Sequence, residues 1–288
     1  MTATLPSTEH LVTTAAAIKD KTLRANAMAL AEEMGNVVEG LGDVEKIWYP
    51  TRLRLIQQST LLTELSNGDD AKIGGWVIGN TYVGMELPAH VIRTWNSRTL
   101  MDEDIDKHNV ICQSTDGKNG TRHGNCRTCV FSKFVEGKIT PCRSNAVYIM
   151  VGADLRHVLQ YEFYRTSTEA GKALNKRLVA RGNDFWKMEV AFKSKPNEKK
   201  KNVRNPAVEY PEHKDKPEDV VAFLNAVREY YAGRRKYELD RHNAYVAERS
   251  TRGFEAPAQE EVTRISANAE RAAETGADAD LHAPDLTL

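Results

Sequence analysis

The chain has 288 residues, with 40 Lys plus Arg balanced by 40 Asp plus Glu and a hydrophobic share of 41%. That length allows one large domain or a medium domain with appendages, and the zero net charge excludes inferring a partner from total charge. No apolar run approaches the roughly 18–20 residues that cross a bilayer.

The N-terminal "MTATLPSTEHLVTT" lacks the basic start and apolar stretch of a secretory signal. The sequence therefore predicts a cytoplasmic protein whose thiols stay reduced. From Ser7 to Glu39 alanines and leucines alternate with charges, and Gly40 and Gly42 follow. This predicts an N-terminal helical segment within residues 1–45. From Ile73 to Ser97, "IGGWVIG", "TYVGMEL" and "HVIRTWNS" read as short strands broken by Gly and Pro. Strand character resumes in "NAVYIMVG" and "RHVLQYEFYRTS".

Next comes a helix, "EAGKALNKRLVA", with Thr166 and Glu169 spaced as a capping box and Gly182 at its end. "DFWKMEVAFKSK" alternates as a strand, placing Trp186 and Phe192 on one face. A lysine-rich loop leads to a last strand, "PAVEYPEH". A long helix spans 216–250 after Asp215, with Val220, Phe223, Leu224, Val227, Tyr230 and Tyr231 as its apolar stripe. Residues 251–288 read as an acidic, disordered or partly helical tail. The expected class is α+β: an OB-like β-barrel core over 46–215, interrupted by an insertion at 108–145 and flanked by helices.

All four cysteines, Cys112, Cys126, Cys129 and Cys142, lie within that insertion. A Cys-x-x-Cys pair places two thiolates on one ion through a tight turn, and Cys112 and Cys142 flank the pair at similar distances. In a reducing compartment this predicts a structural Zn2+ with four sulfur ligands, a zinc ribbon. Two alternatives stay open: His123 or His108 replaces one cysteine, or the thiols hold no metal.

Unpaired nucleic acid is held by cations on its phosphates and flat rings under its bases. The chain interleaves the two types at Trp48, Tyr49, Arg52 and Arg54, at Arg93 and Trp95, and at Tyr161, Tyr164 and Arg165. It does so again at Trp186, Lys193 and Lys195, before the run Lys199, Lys200, Lys201 and Arg204. The insertion adds Arg122 and Arg127. In an alternating strand about half of such aromatics are core, and a lysine run alone is commonly a solvated loop.

The stretches "PTRLRLIQQST", "CQSTDGKNG", "GNCRTC", "PCRSNAVYIMV" and "YRTSTEAGKALNKRL…FWKMEVAFKSK", from Pro50 to Tyr210, resemble phage-encoded single-stranded DNA-binding proteins of the OB-fold type with an inserted zinc ribbon. The resemblance implies that the four cysteines hold zinc and that the β domain binds unpaired DNA in replication or recombination. It also implies location in the host cytoplasm. Replication or recombination proteins would be further partners, reached through the acidic tail, although the chain ends without a long acidic run or a terminal aromatic.

No Gly-x-Ser-x-Gly, Walker, His-Glu-x-x-His or dinucleotide motif is present, so the chain reads as a binding protein and not an enzyme. Two alternatives are a zinc-ribbon regulator or adaptor of a replication or transcription complex, and a Mg-dependent nuclease. The latter would use Asp102 and Asp104 of "MDEDIDKH", on an expected loop.

Overall fold

A computed structural model describes residues 7–35, 50–57, 60, 62–104, 107–133, 139–163, 168–198, 203–211 and 216–275. Among the described residues the fold is mixed α and β: a strongly curled, half-barrel sheet with five helices. The N-terminal segment is two helices, α1 (Glu9–Ala16) and α2 (Lys21–Gly35). The break falls at Asp20, whose Oδ1 accepts the Leu23 amide at 2.9 Å and caps α2.

The strands follow: β1 (Thr51–Leu55), β2 (Trp76–Ile78), β3 (Thr81–Gly84), β4 (Leu87–Asp104), β5 (Lys107–Ser114), the two-residue β6 (Asn119–Gly120) and β7 (Gly124–Asn125), β8 (Arg143–Gly152) and β9 (Val158–Phe163). After α3 (Thr168–Arg181) come β10 (Glu189–Pro196) and β11 (Arg204–Glu209), then α4 (Glu218–Arg252) and α5 (Gln259–Thr275). The sheet runs β11-β10-β4-β8-β9-β1-β2-β3, and β5 also pairs β4. Every pairing is antiparallel except β1 with β9.

The segment "AVYIMV" is buried on both faces because β8 lies between two layers. Ile149 and Val151 pack against α1, α2 and α4 with Phe223, Leu224 and Val227. Tyr148 and Met150 point the other way into the curl, with Trp76, Phe163 and Phe192. Burying one such side chain contributes roughly 1.5–3 kcal/mol, so these layers dominate the stability of the fold.

Helix α3 seals the curl with Leu174 and Leu178. It approaches β9 so closely that a Cβ on Gly171 would lie 2.9 Å from Cβ of Phe163. The Tyr148 hydroxyl lies 2.7 Å from Asn175 Oδ1 and 3.1 Å from the Gly171 carbonyl, tying the sheet to α3.

Strand β4 is paired along both of its edges. It pairs with β8 along one edge; along the other it pairs first with β10 and then with β5. The β4–β8 register shifts between Val91 and Arg93: Val91 opposes Met150, while Arg93 opposes Ile149. Ile92 is thus the extra residue of a bulge, and the side-chain alternation reverses beyond it. Val91 faces the curl, whereas Ile92, Arg93 and Trp95 face helix α4.

Two expected elements differ. "FWK" is a helical turn (Gly182–Lys187) and not strand, so Trp186 packs with the helical layer and Phe192 with the curl, on opposite faces. "MDEDIDKH" is the end of a β4–β5 hairpin, with Asp102 opposite Asn109 and Asp104 opposite Lys107; the side chains of 102–109 lie outside the described residues. Of the expected tail, residues up to Thr275 are described and include α5.

Candidate nucleic-acid interface

Within the cysteine insertion, the turn after Ser114 and the short β6–β7 hairpin meet the second half of α4. Asp116 shapes that turn, where Oδ1 accepts the amides of Lys118 (2.8 Å) and Asn119 (2.9 Å) and the Ser114 hydroxyl (2.8 Å). Burial alone would raise the Asp116 carboxyl, but these hydrogen bonds outweigh it and hold the pKa below the ordinary value. His242 of α4 reaches the Asn119 carbonyl at 2.8 Å, and Arg235 donates to the Thr115 carbonyl.

The structural zinc expected on Cys112, Cys126, Cys129 and Cys142 is corrected here. Among the described residues no group of three or more His, Cys, Asp or Glu side chains is placed to hold a metal ion. All four cysteines are free thiols; Cys126 and Cys142 are buried, and Cys112 and Cys129 are partly exposed. Cys142 packs in a small apolar core with Leu100, Phe131 and Ile265, and Cys112 and Cys129 lie against it. Burial raises the Cys126 thiol and pushes Cys142 to about 11. A buried thiol behaves as a small hydrophobe, and spacing alone does not separate that role from metal ligation.

The C-terminal segment holds the hairpin from the other side. Arg122 meets Glu255 at 2.6 Å and Glu261 at 3.0 Å. The hydrogen bond to Glu255 is the main reason its pKa is raised. His123 lies 5.4 Å from the Phe131 ring, and its Nδ1 sits 3.0 Å from the Glu255 carbonyl.

The other expected contact residues are dispersed. Arg52 is half-buried on β1, and Arg54 donates to the Gly79 carbonyl and to Asn80 Oδ1, bracing the β2–β3 turn. Tyr161 packs edge-on against Trp76 (5.4 Å) and Phe163 (4.8 Å) at the margin of the curl. Lys193 is paired with Glu209 (2.6 Å) and Glu86 (3.2 Å). Arg204 bonds the Ser194 hydroxyl at 3.2 Å. Arg127 and Lys195 are exposed. Trp48, Tyr49, Tyr164, Arg165, Lys199, Lys200 and Lys201 lie outside the described residues.

Arg93, Trp95 and Trp186 do converge, at the seam between β4, the Gly182–Lys187 turn and α4. The helix contributes two arginines that the sequence reading missed. Arg235 lies over the Trp95 ring at 4.5 Å, and Arg228 over the Trp186 ring at 5.4 Å, with Lys187 also 5.4 Å from that ring. Trp186 is buried, whereas Arg93, Trp95 and Arg228 are partly exposed. Burial, and then the charge of Arg228, depress the pKa of Arg93. Burial also depresses Arg235; Glu238 offsets this, and Arg93 adds to the depression.

The signal for the two arginines was present. Leu224, Arg228, Tyr231, Arg235, Glu238 and His242 follow one another at steps of four and three, so they continue the apolar stripe of α4 as a polar one.

No family model, curated protein or solved structure matches this chain.

Proposed function

We propose that the protein binds single-stranded DNA largely without sequence specificity and acts in phage DNA replication or recombination as a binding protein and not an enzyme. In this reading the curled sheet is an OB-like platform, and the strand runs along the β4–α4 seam. The observation that carries it is the pair of indoles, Trp95 and Trp186, each under an arginine and beside the partly exposed Arg93. Cations for phosphates and a ring for stacking are what sequence-tolerant single-strand binding needs, each stacked base contributing about 1–3 kcal/mol.

Fluorescence anisotropy with single- and double-stranded oligonucleotides at several salt concentrations tests it. Tighter binding to the single strand, weakening steeply with salt as counterions are released, is expected. Equal affinity for duplex and single strand contradicts it.

A further inference from the structure

Arg122, Arg54 and Arg235 each meet a carboxylate or a backbone carbonyl, whereas Arg93 faces another cation. Among the described residues no carboxylate or carbonyl bonds its guanidinium, and the charge that faces it is Arg228. Arg228 in turn donates to the neutral Asn225 Oδ1 at 3.1 and 3.2 Å.

The backbone enforces this arrangement. The bulge at Ile92 turns Arg93 onto the α4 side, where unbroken alternation would have directed it into the apolar curl. Arg235 is fixed over Trp95. Arg228 lies two helical turns before Arg235 on the same face, about 10 Å along α4. Arg93 lies two residues before Trp95, about 7 Å along β4. The Arg93 guanidinium therefore sits where the fields of Arg228 and Arg235 overlap.

We propose that Arg93 and Arg228 form a binding site for a phosphate-bearing anion, with Arg235 as a third, buried cation behind them. Two guanidinium forks match the geometry of phosphate oxygens. A partly buried like-charged pair without a counterion is unfavourable until an anion enters. Glu238, which pairs with Arg234 at 3.0 Å and Arg235 at 3.6 Å, and Asp116, held by the turn amides, both act on Arg235. The identity of the anion as a strand phosphodiester rests on the single-strand reading above; the existence of the site does not.

The test compares wild type, the double variant Arg93→Gln/Arg228→Gln, and Lys172→Gln/Lys236→Gln, which removes equal charge from exposed helix positions already paired with Glu169 and Asp240. Circular dichroism melting establishes that all three are folded, and each is titrated with an oligo-dT and separately with inorganic phosphate. We expect oligo-dT affinity to fall at least tenfold in the arginine variant alone. Its log K against log salt slope should become shallower by roughly 0.7–1.4, the yield of one or two single-strand phosphate contacts. Arginine-dependent binding of inorganic phosphate without binding of oligo-dT keeps the site and overturns the single-strand reading. Oligo-dT bound equally by wild type and the folded arginine variant overturns the site and leaves that reading standing. A wild type that binds neither ligand overturns both. Where the double variant melts early, Arg93→Lys/Arg228→Lys is used, which retains charge and removes the fork; unchanged affinity for both ligands there overturns the fork geometry.

Discussion

Phe254 packs directly on the backbone of Gly124: a Cβ built there would lie 2.8 Å from Cδ2 of the ring. Gly124 has φ of +67°, a conformation that side chains other than glycine's disfavour. The hairpin and the α4–α5 connection are therefore fitted to one another through a position that only glycine fills. Gly124→Val should destabilise the protein by about 2 kcal/mol and loosen α5. Hydrogen–deuterium exchange in 259–275 should rise while β8 stays protected; unchanged exchange in α5 would show that the contact does not hold the helix.

The thiols differ in environment. Burial pushes Cys142 to about 11, and its neighbours are Leu100, Phe131 and Ile265. At pH 8 it should remain protonated and be alkylated by iodoacetamide last of the four, with Cys112 and Cys129 ahead of it. Peptide mass spectrometry over a time course reads the order, and denatured protein should modify all four alike. Early modification of Cys142 in the folded protein contradicts the packing described.

His90 is buried beside the Lys216–Glu189 ion pair. Burial is the main cause of its lowered pKa, followed by the charge of Lys216; its value is about 4 against an ordinary 6.5. The unfolded chain takes up this proton first as pH falls, so the stability tied to neutral His90 is complete above pH 6.5 and is lost progressively toward pH 4. The difference is on the order of 3 kcal/mol. Urea unfolding of wild type and His90→Leu at pH 7 and 4.5 should give a smaller loss in the variant; equal losses would assign the acid sensitivity elsewhere.

Trp95 is the partly exposed ring of the seam, and Arg235 covers one side of it. Trp95→Ala should weaken oligo-dT binding by roughly tenfold or more. Tyr245→Ala, an exposed ring on the outer end of α4, should leave binding unchanged. Anisotropy on the two variants decides it, and equal effects would remove the special role of Trp95.

Punctuation and alternation were readable where they acted locally. "NAVYIMVG" is β8, the N-terminal alanines and leucines are helical, and Gly182 leaves α3 with φ of +61°. What escaped depends on events of one residue or on distant partners. The short turn at Gly182–Lys187 separates Trp186 from the alternation of β10, so the shared face expected for Trp186 and Phe192 does not exist. The bulge at Ile92 leaves no mark in composition, yet it decides which face carries Arg93. The cysteine spacing suits metal ligation and thiol packing equally, and the burial of Cys142 against Ile265 is set by a helix more than a hundred residues downstream.

The placement of the strand on the β4–α4 seam is tested most directly by photo-cross-linking an oligo-dT containing 5-iodouracil and mapping the adducts by mass spectrometry. Adducts at Trp95 and within 228–235 of α4 are predicted. Efficient cross-linking confined to other surfaces, with none on β4 or α4, would contradict the account.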